Sequence, residues 1–169
     1  MRCIALVVVG VSGLVVPVAG QTLTPGDTAA AFAVVYERVS TRWGKSVDIR
    51  EPVWIPDGDG YAASIGDETW EMLRQHIPTI RRTGSTEAVL ICAEPGEHGY
   101  PRNCRIRDDG RIVSFGIQAT DEASVIVVTV SVSLMYSQER SYLYGGTCRV
   151  RRQPTGEWIV TEILDLRRT

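Results

Sequence analysis

Val125-Ile126-Val127-Val128-Thr129-Val130-Ser131-Val132-Ser133-Leu134-Met135-Tyr136 is the stretch on which the fold turns. Ile126, Val128, Val130, Val132, Leu134 and Tyr136 recur at every second position, with Thr129, Ser131 and Ser133 between them. Strand side chains point alternately to opposite faces, so this pattern predicts a long β-strand with one buried and one wetter face. Its β-branched residues suit a pleated, half-buried surface. One-sided burial is the habit of antiparallel sheets.

Reading outward, the same kind of pattern continues on both sides. Tyr142 to Arg152 reads as the next strand, with Gly145-Gly146 marking a bulge or bend. Pro154-Thr155-Gly156 forms a turn before Trp158 to Leu166, where Trp158, Val160, Leu164 and Leu166 are expected to share a face interrupted by Glu162. Upstream, Arg105 to Arg107 is expected to turn at Asp108-Asp109-Gly110 and return as Arg111 to Ala119, a hairpin signal. Glu87 to Ala93 reads as a buried run, so everything beyond Ser85 is expected to be antiparallel strand.

Helices belong to the first half. Thr24-Pro25-Gly26-Asp27 offers a capping hydroxyl, a proline at the first helical position and an acid at the third. Ala30, Ala31, Phe32, Val35, Val39 and Trp43 then follow at helical spacing until Gly44. That stripe must lie on something apolar. A second helix is expected to start with Asp67 as its cap and run through Trp70, Leu73 and Ile77, with Pro78 stopping it or kinking it near its end. Val47 to Ile49 and Val53 to Ile55 read as short strands that Pro52 and Pro56 keep brief or at an edge.

Early helices and a late meander define an α+β class: a curved antiparallel sheet with two N-terminal-half helices packed on one face. From Thr24 to Leu166 the element order resembles the cone-shaped α+β superfamily of nuclear transport factor 2, also called cystatin-like or SnoaL-like. The final hairpin, with Gly156-Glu157-Trp158-Ile159-Val160 opening the last strand, adds to the likeness. The short second helix common in that superfamily is not evident between Gly44 and Val53. The resemblance implies a pocket between the concave sheet and the helices. Such pockets serve isomerases, dehydratases, hydrolases and pure binding proteins, so the fold alone does not choose among them.

Residues 1–20 carry a different signal. Arg2 precedes an apolar run that ends in Pro17-Val18-Ala19-Gly20, the layout of an export signal cleaved after Gly20. The alternative is an uncleaved anchor, although Gly10, Ser12, Gly13 and Pro17 break the run and a span needs roughly 17–25 apolar residues. Residues 21–169 are expected to form a single α+β domain, periplasmic or secreted, with no membrane span in the mature chain. The net charge of −2 shows no basic footprint, so no nucleic-acid role is expected.

Three cysteines lie beyond the signal. Cys92 and Cys104 flank a Pro- and Gly-rich loop and would meet across its base if it joins paired strands. A disulfide there closes a loop of roughly a dozen residues, stabilising by about 3 kcal/mol in the chain-entropy model. Cys148 sits within a strand pattern and reads as a buried free thiol, with pairing to Cys92 or Cys104 left open.

No motif declares a chemistry. His76, three positions after Leu73, is the best-placed acid–base group if it points inward. Otherwise it is a histidine that the helix dipole favours at a helix end. Glu162 is an acid among apolar neighbours, a general base if burial raises its pKa, or else a partner for an arginine such as Arg149. Tyr36, Tyr136, Tyr142 and Tyr144 suit the lining of a ligand pocket, or plain core packing. Asp57-Gly58-Asp59-Gly60 invites a calcium reading, but Tyr61 and Ala62 stand where such a loop needs an oxygen ligand and a glycine. His98 with Glu94 and Glu97 lacks zinc-site spacing. The sequence therefore implies no metal and no cofactor. It points first to non-catalytic binding of a small apolar ligand or a protein partner, with a homodimer compatible. A small pocket hydrolase, isomerase or dehydratase using His76 or Glu162 is the alternative.

Overall fold

The computed structural model describes residues 23–43, 51–56, 65–94, 102–135 and 142–168. The export signal, Gly44, Val47 to Ile49, the Asp57–Gly60 loop, Glu97, His98 and Tyr136 lie outside the described residues.

Helix α1 spans Pro25–Arg42 and begins with the expected capping box: Thr24 accepts from the Asp27 amide, and the Asp27 carboxylate accepts from the Thr24 amide. Its inward stripe is Ala29, Ala31, Phe32, Val35, Tyr36, Val39 and Ser40. Helix α2 spans Asp67–His76, burying Trp70 and Leu73. Gly66 is its N-cap, and Asp67, expected to cap, is instead the first helical residue. There its charge favours the helix N-terminus, and it accepts a 2.7 Å bond from Arg82.

The main sheet has six strands: β1 (Val53–Pro56), β2 (Ile80–Thr83), β5 (Arg111–Ala119), β6 (Val125–Met135), β7 (Tyr142–Arg152) and β8 (Trp158–Arg168). Their order is β2-β1-β5-β6-β7-β8. From β5 to β8 the sheet is the expected antiparallel meander. The expectation of a wholly antiparallel sheet needs correcting, because β1 pairs in parallel with both β2 and β5. β1 is brief, with four residues, as its prolines lead one to expect, and it lies inside the sheet rather than at its edge. Pro52 precedes the ladder and Pro56 ends it opposite Thr83, and β2 takes the edge.

The second correction concerns the hairpin. Asp108-Asp109-Gly110 does not join two paired strands. β3 (Leu90–Glu94) and β4 (Arg102–Ile106) pair only with each other, and the turn carries the chain from that ribbon into β5. Asp108 and Asp109 both adopt left-handed backbone (φ 57 and 50), which aspartate tolerates better than most residues. A Cβ at Gly110 would lie 2.6 Å from the Pro52 carbonyl oxygen, so the chain can pass there only as glycine. The run expected to be buried from Glu87 starts as a 3-10 turn, and Ile91 is 41% exposed because the ribbon has one open face.

Two cores follow from this layout. On the helix-covered face α1 packs over Val113 and Phe115 of β5, Ile126, Val128, Val130 and Val132 of β6, and Val150 of β7. Phe32 stacks on Phe115 with ring centroids 4.5 Å apart. Each fully buried valine contributes about 1.5–3 kcal/mol of transfer free energy. On the opposite face Trp54 and Ile112 meet Val89 and Ile106 beneath the ribbon. Cys92 and Cys104 face each other in register on β3 and β4 and form the expected disulfide. Cys148 is a buried free thiol.

Strand β8 departs from its expected pattern. The β7–β8 register slips twice, leaving Thr161 and Leu164 as extra residues. Each bulge inverts the alternation. Ile163 and Leu166 therefore pack with the core alongside Val160, and Leu164 is left 42% exposed. Gly145 also admits close backbone approach, since a Cβ there would stand 2.5 Å from the Val130 carbonyl oxygen.

Candidate functional site

A cleft of about 790 Å³ opens between the last turns of α1 and the distal half of β8. Arg38, Thr41 and Arg42 form one wall, and Ile163, Leu164, Asp165 and Leu166 form the other. The double bulge makes the second wall, because it turns Leu164 outward beside two inward-facing apolar neighbours. Helical spacing makes the first, because positions 38, 41 and 42 lie on the flank of α1 next to its core stripe.

Polar contacts at three points along its length hold α1 in place. At its start, the Trp158 indole donates to Asp27 Oδ1 at 3.1 Å, and Arg152 pairs with the same oxygen at 3.2 Å. At its end, the Ser40 and Tyr144 hydroxyls share a 3.2 Å bond. Between them Tyr36 hydrogen-bonds the Arg111 side chain, whose guanidinium also meets Glu51 at 2.5 Å. Tyr36, Ser40, Tyr144 and Arg111 are all buried, while Glu51 reaches partly into solvent.

The electrostatics follow from these contacts. Burial raises the Tyr36 phenol above its usual range, and the Arg111 charge opposes but does not cancel that rise. For Arg111, burial works against the charge, yet Tyr36 and Glu51 outweigh it and its pKa rises. For Asp27, burial pushes the carboxyl up, and the bonds from Thr24 and Trp158 with the Arg152 charge pull it below the usual value. Burial pushes the Cys148 thiol up, against the pull of nearby Arg38. These directions leave Arg111 and Asp27 charged, and the Tyr36 phenol and the Cys148 thiol protonated, at neutral pH.

The residues singled out from the sequence separate into distinct places. His76 is exposed at the end of α2, not turned into the interior. Glu162 lies on the sheet face away from the helices, bonded to Arg149 at 2.7 Å. These two acid–base candidates therefore sit on opposite sides of the sheet, and the structure does not bring them together. Tyr36 and Tyr144 are core members of the polar set behind α1. Tyr142 opens β7, its side chain outside the described residues, as are Tyr136 and the Glu94 side chain. Sequence reading missed Arg111, Ser40 and Glu51, which carry no local signal, and Arg38 and Arg42, which look like ordinary helix surface.

Among the described residues no three His, Cys, Asp or Glu side chains are grouped to hold a metal ion. Among them also, no helix is long and apolar enough to cross a membrane. No protein-family model, curated protein or solved structure matches this chain.

Proposed function

We propose that this chain is an exported, non-catalytic binding domain of the nuclear transport factor 2-like architecture, and that the α1–β8 cleft is its binding site. The observation that carries the reading is the cleft itself. It combines apolar Ile163, Leu164 and Leu166 with a few polar groups, Arg38, Thr41 and Arg42, in a volume suited to a ligand. Its walls are pre-set by the buried contacts behind α1, so binding orders little new structure. The helix-on-sheet order supports the family assignment. The Cys92–Cys104 disulfide supports export, because such bonds persist in oxidising compartments.

The test is an NMR titration with 1-anilinonaphthalene-8-sulfonate, an apolar body bearing one anionic group. Saturable shifts confined to the amides of Arg38, Thr41 and Ile163 to Leu166, abolished by Leu164→Glu, are the expected result. Shifts centred elsewhere, or unchanged by that substitution, would overturn the assignment of the cleft.

A further inference from the structure

We propose that the cleft receives an extended, acidic segment of a partner protein, which adds as a strand to the outer edge of β8. This rests on the reading of the cleft as a binding site and names its ligand class.

Two independent observations converge there. The first is backbone geometry. β8 ends the six-stranded order, and among the described residues no strand pairs with its outer edge. Backbone N–H and C=O groups along a sheet edge are a template for another strand. The bulges at Thr161 and Leu164 disturb the middle of β8, so its regular portion for such pairing is Asp165 to Arg168, beside the cleft.

The second is charge. Arg38 and Arg42 stand one helical turn apart on the cleft wall, and Arg168 ends the strand. Among the described residues these three carry no ion pair, whereas Arg149, Arg151, Arg152 and Arg167 each have a carboxylate partner. The one acid in the lining, Asp165, is bonded to Arg167. The site is cationic within a chain of net charge −2, so complementarity calls for carboxylates on the partner. Exposed Leu164 gives alternate side chains of an added strand an apolar contact. A nucleic acid would use the arginines but neither the strand edge nor Leu164. A second copy would bring its own uncompensated arginines to the same edge.

The experiment uses a fluorescein-labelled ten-residue peptide of alternating Glu and Val, with a Lys and Val counterpart and a single-stranded oligonucleotide as controls. Anisotropy should show saturable binding of the Glu peptide that weakens as salt rises. The Lys peptide and the oligonucleotide should bind at least about tenfold more weakly. Arg38→Glu with Arg42→Glu, both exposed and folded by circular dichroism, should lose about tenfold or more of the Glu-peptide affinity. Hydrogen exchange should slow at Asp165 to Arg168 only in the presence of the Glu peptide. Equal binding of the Lys peptide, preference for the oligonucleotide, a β8-mediated dimer by sedimentation, or no protection of that edge would each overturn the proposal. If anilinonaphthalene sulfonate still occupies the cleft while the Glu peptide fails, strand addition falls and the binding site stands.

Discussion

Trp158 and Asp27, 131 positions apart, are joined by a 3.1 Å indole-to-carboxylate hydrogen bond that closes the helix layer onto the last strand. One carboxylate thereby completes the capping box of α1, accepts from Trp158 and balances Arg152. Replacing Asp27 with Asn keeps the shape and removes the charge, and should cost about 1.5–3 kcal/mol, the range for hydrogen bonds to a charged group. The folded-state pKa of Asp27 is lowered, so the unfolded chain binds the proton more readily. The stabilisation is fully present above the unfolded value of about 3.8 and is lost as pH falls through the folded value. Urea denaturation from pH 6 to pH 2.5 checks this. An Asp27→Asn variant with the same acid slope as the parent removes the argument.

Tyr36 makes the opposite prediction at the alkaline end. Its folded-state pKa is raised above 10.0, so its share of stability is complete below pH 10 and disappears as pH rises through the folded value. Tyr36→Phe should reduce the loss of stability between pH 9.5 and 11. Ultraviolet titration at about 295 nm, where phenolate absorbs, should show a late-ionising component that Tyr36→Phe removes. A parent protein in which all tyrosines titrate together would count against the buried setting.

Glu51 is the counter-charge of a buried guanidinium. Glu51→Gln should destabilise by about 1–3 kcal/mol, below the cost of breaking a fully buried pair because Glu51 is partly solvated. Arg111→Met with Glu51→Leu should recover part of that loss, since no buried charge remains. Chemical denaturation of both variants tests it, and a double variant weaker than the single one contradicts it.

The ribbon of β3 and β4 depends on its disulfide more than the sheet does. Reduction, or Cys92→Ala with Cys104→Ala, should lower stability by about 3 kcal/mol and speed hydrogen exchange from Leu90 to Ile106 first. Free thiols at both positions in protein purified without reductant, found by mass spectrometry, would exclude the bond.

His76 and Glu162 should prove dispensable for folding. His76→Ala and Glu162→Gln each leave an exposed site and should shift stability by less than about 0.5 kcal/mol for His76 and 1 kcal/mol for Glu162. A larger loss by calorimetry at either position would reveal a contact that their exposed settings do not provide.

Local pattern carried the elements well. The period of two in Val125 to Met135 and the capping box at Thr24 need only neighbouring residues, and both elements stand where those signals put them. The Cys92–Cys104 bond was legible because the two cysteines bracket one loop. The parallel strand β2 was not, because Ile80 to Thr83 is too short to show a period and is held by distant partners. The hairpin signal at Asp108-Asp109-Gly110 misled for a related reason: a turn type sets the local path of the chain but not which strand will lie beside it.

The sequence by itself determined both helices and the long strands of the meander, the apolar faces of α1 and β6, and that one cysteine pair spans a loop. Those features are set by spacing along the chain. The tertiary structure alone decided that Arg111 meets Tyr36 and Glu51, that Trp158 meets Asp27, and that two bulges turn Leu164 outward beside Arg38 and Arg42. The reason is physical: the partner of a buried polar group, and the register of a strand against its neighbour, are settled by contacts between residues far apart in the chain.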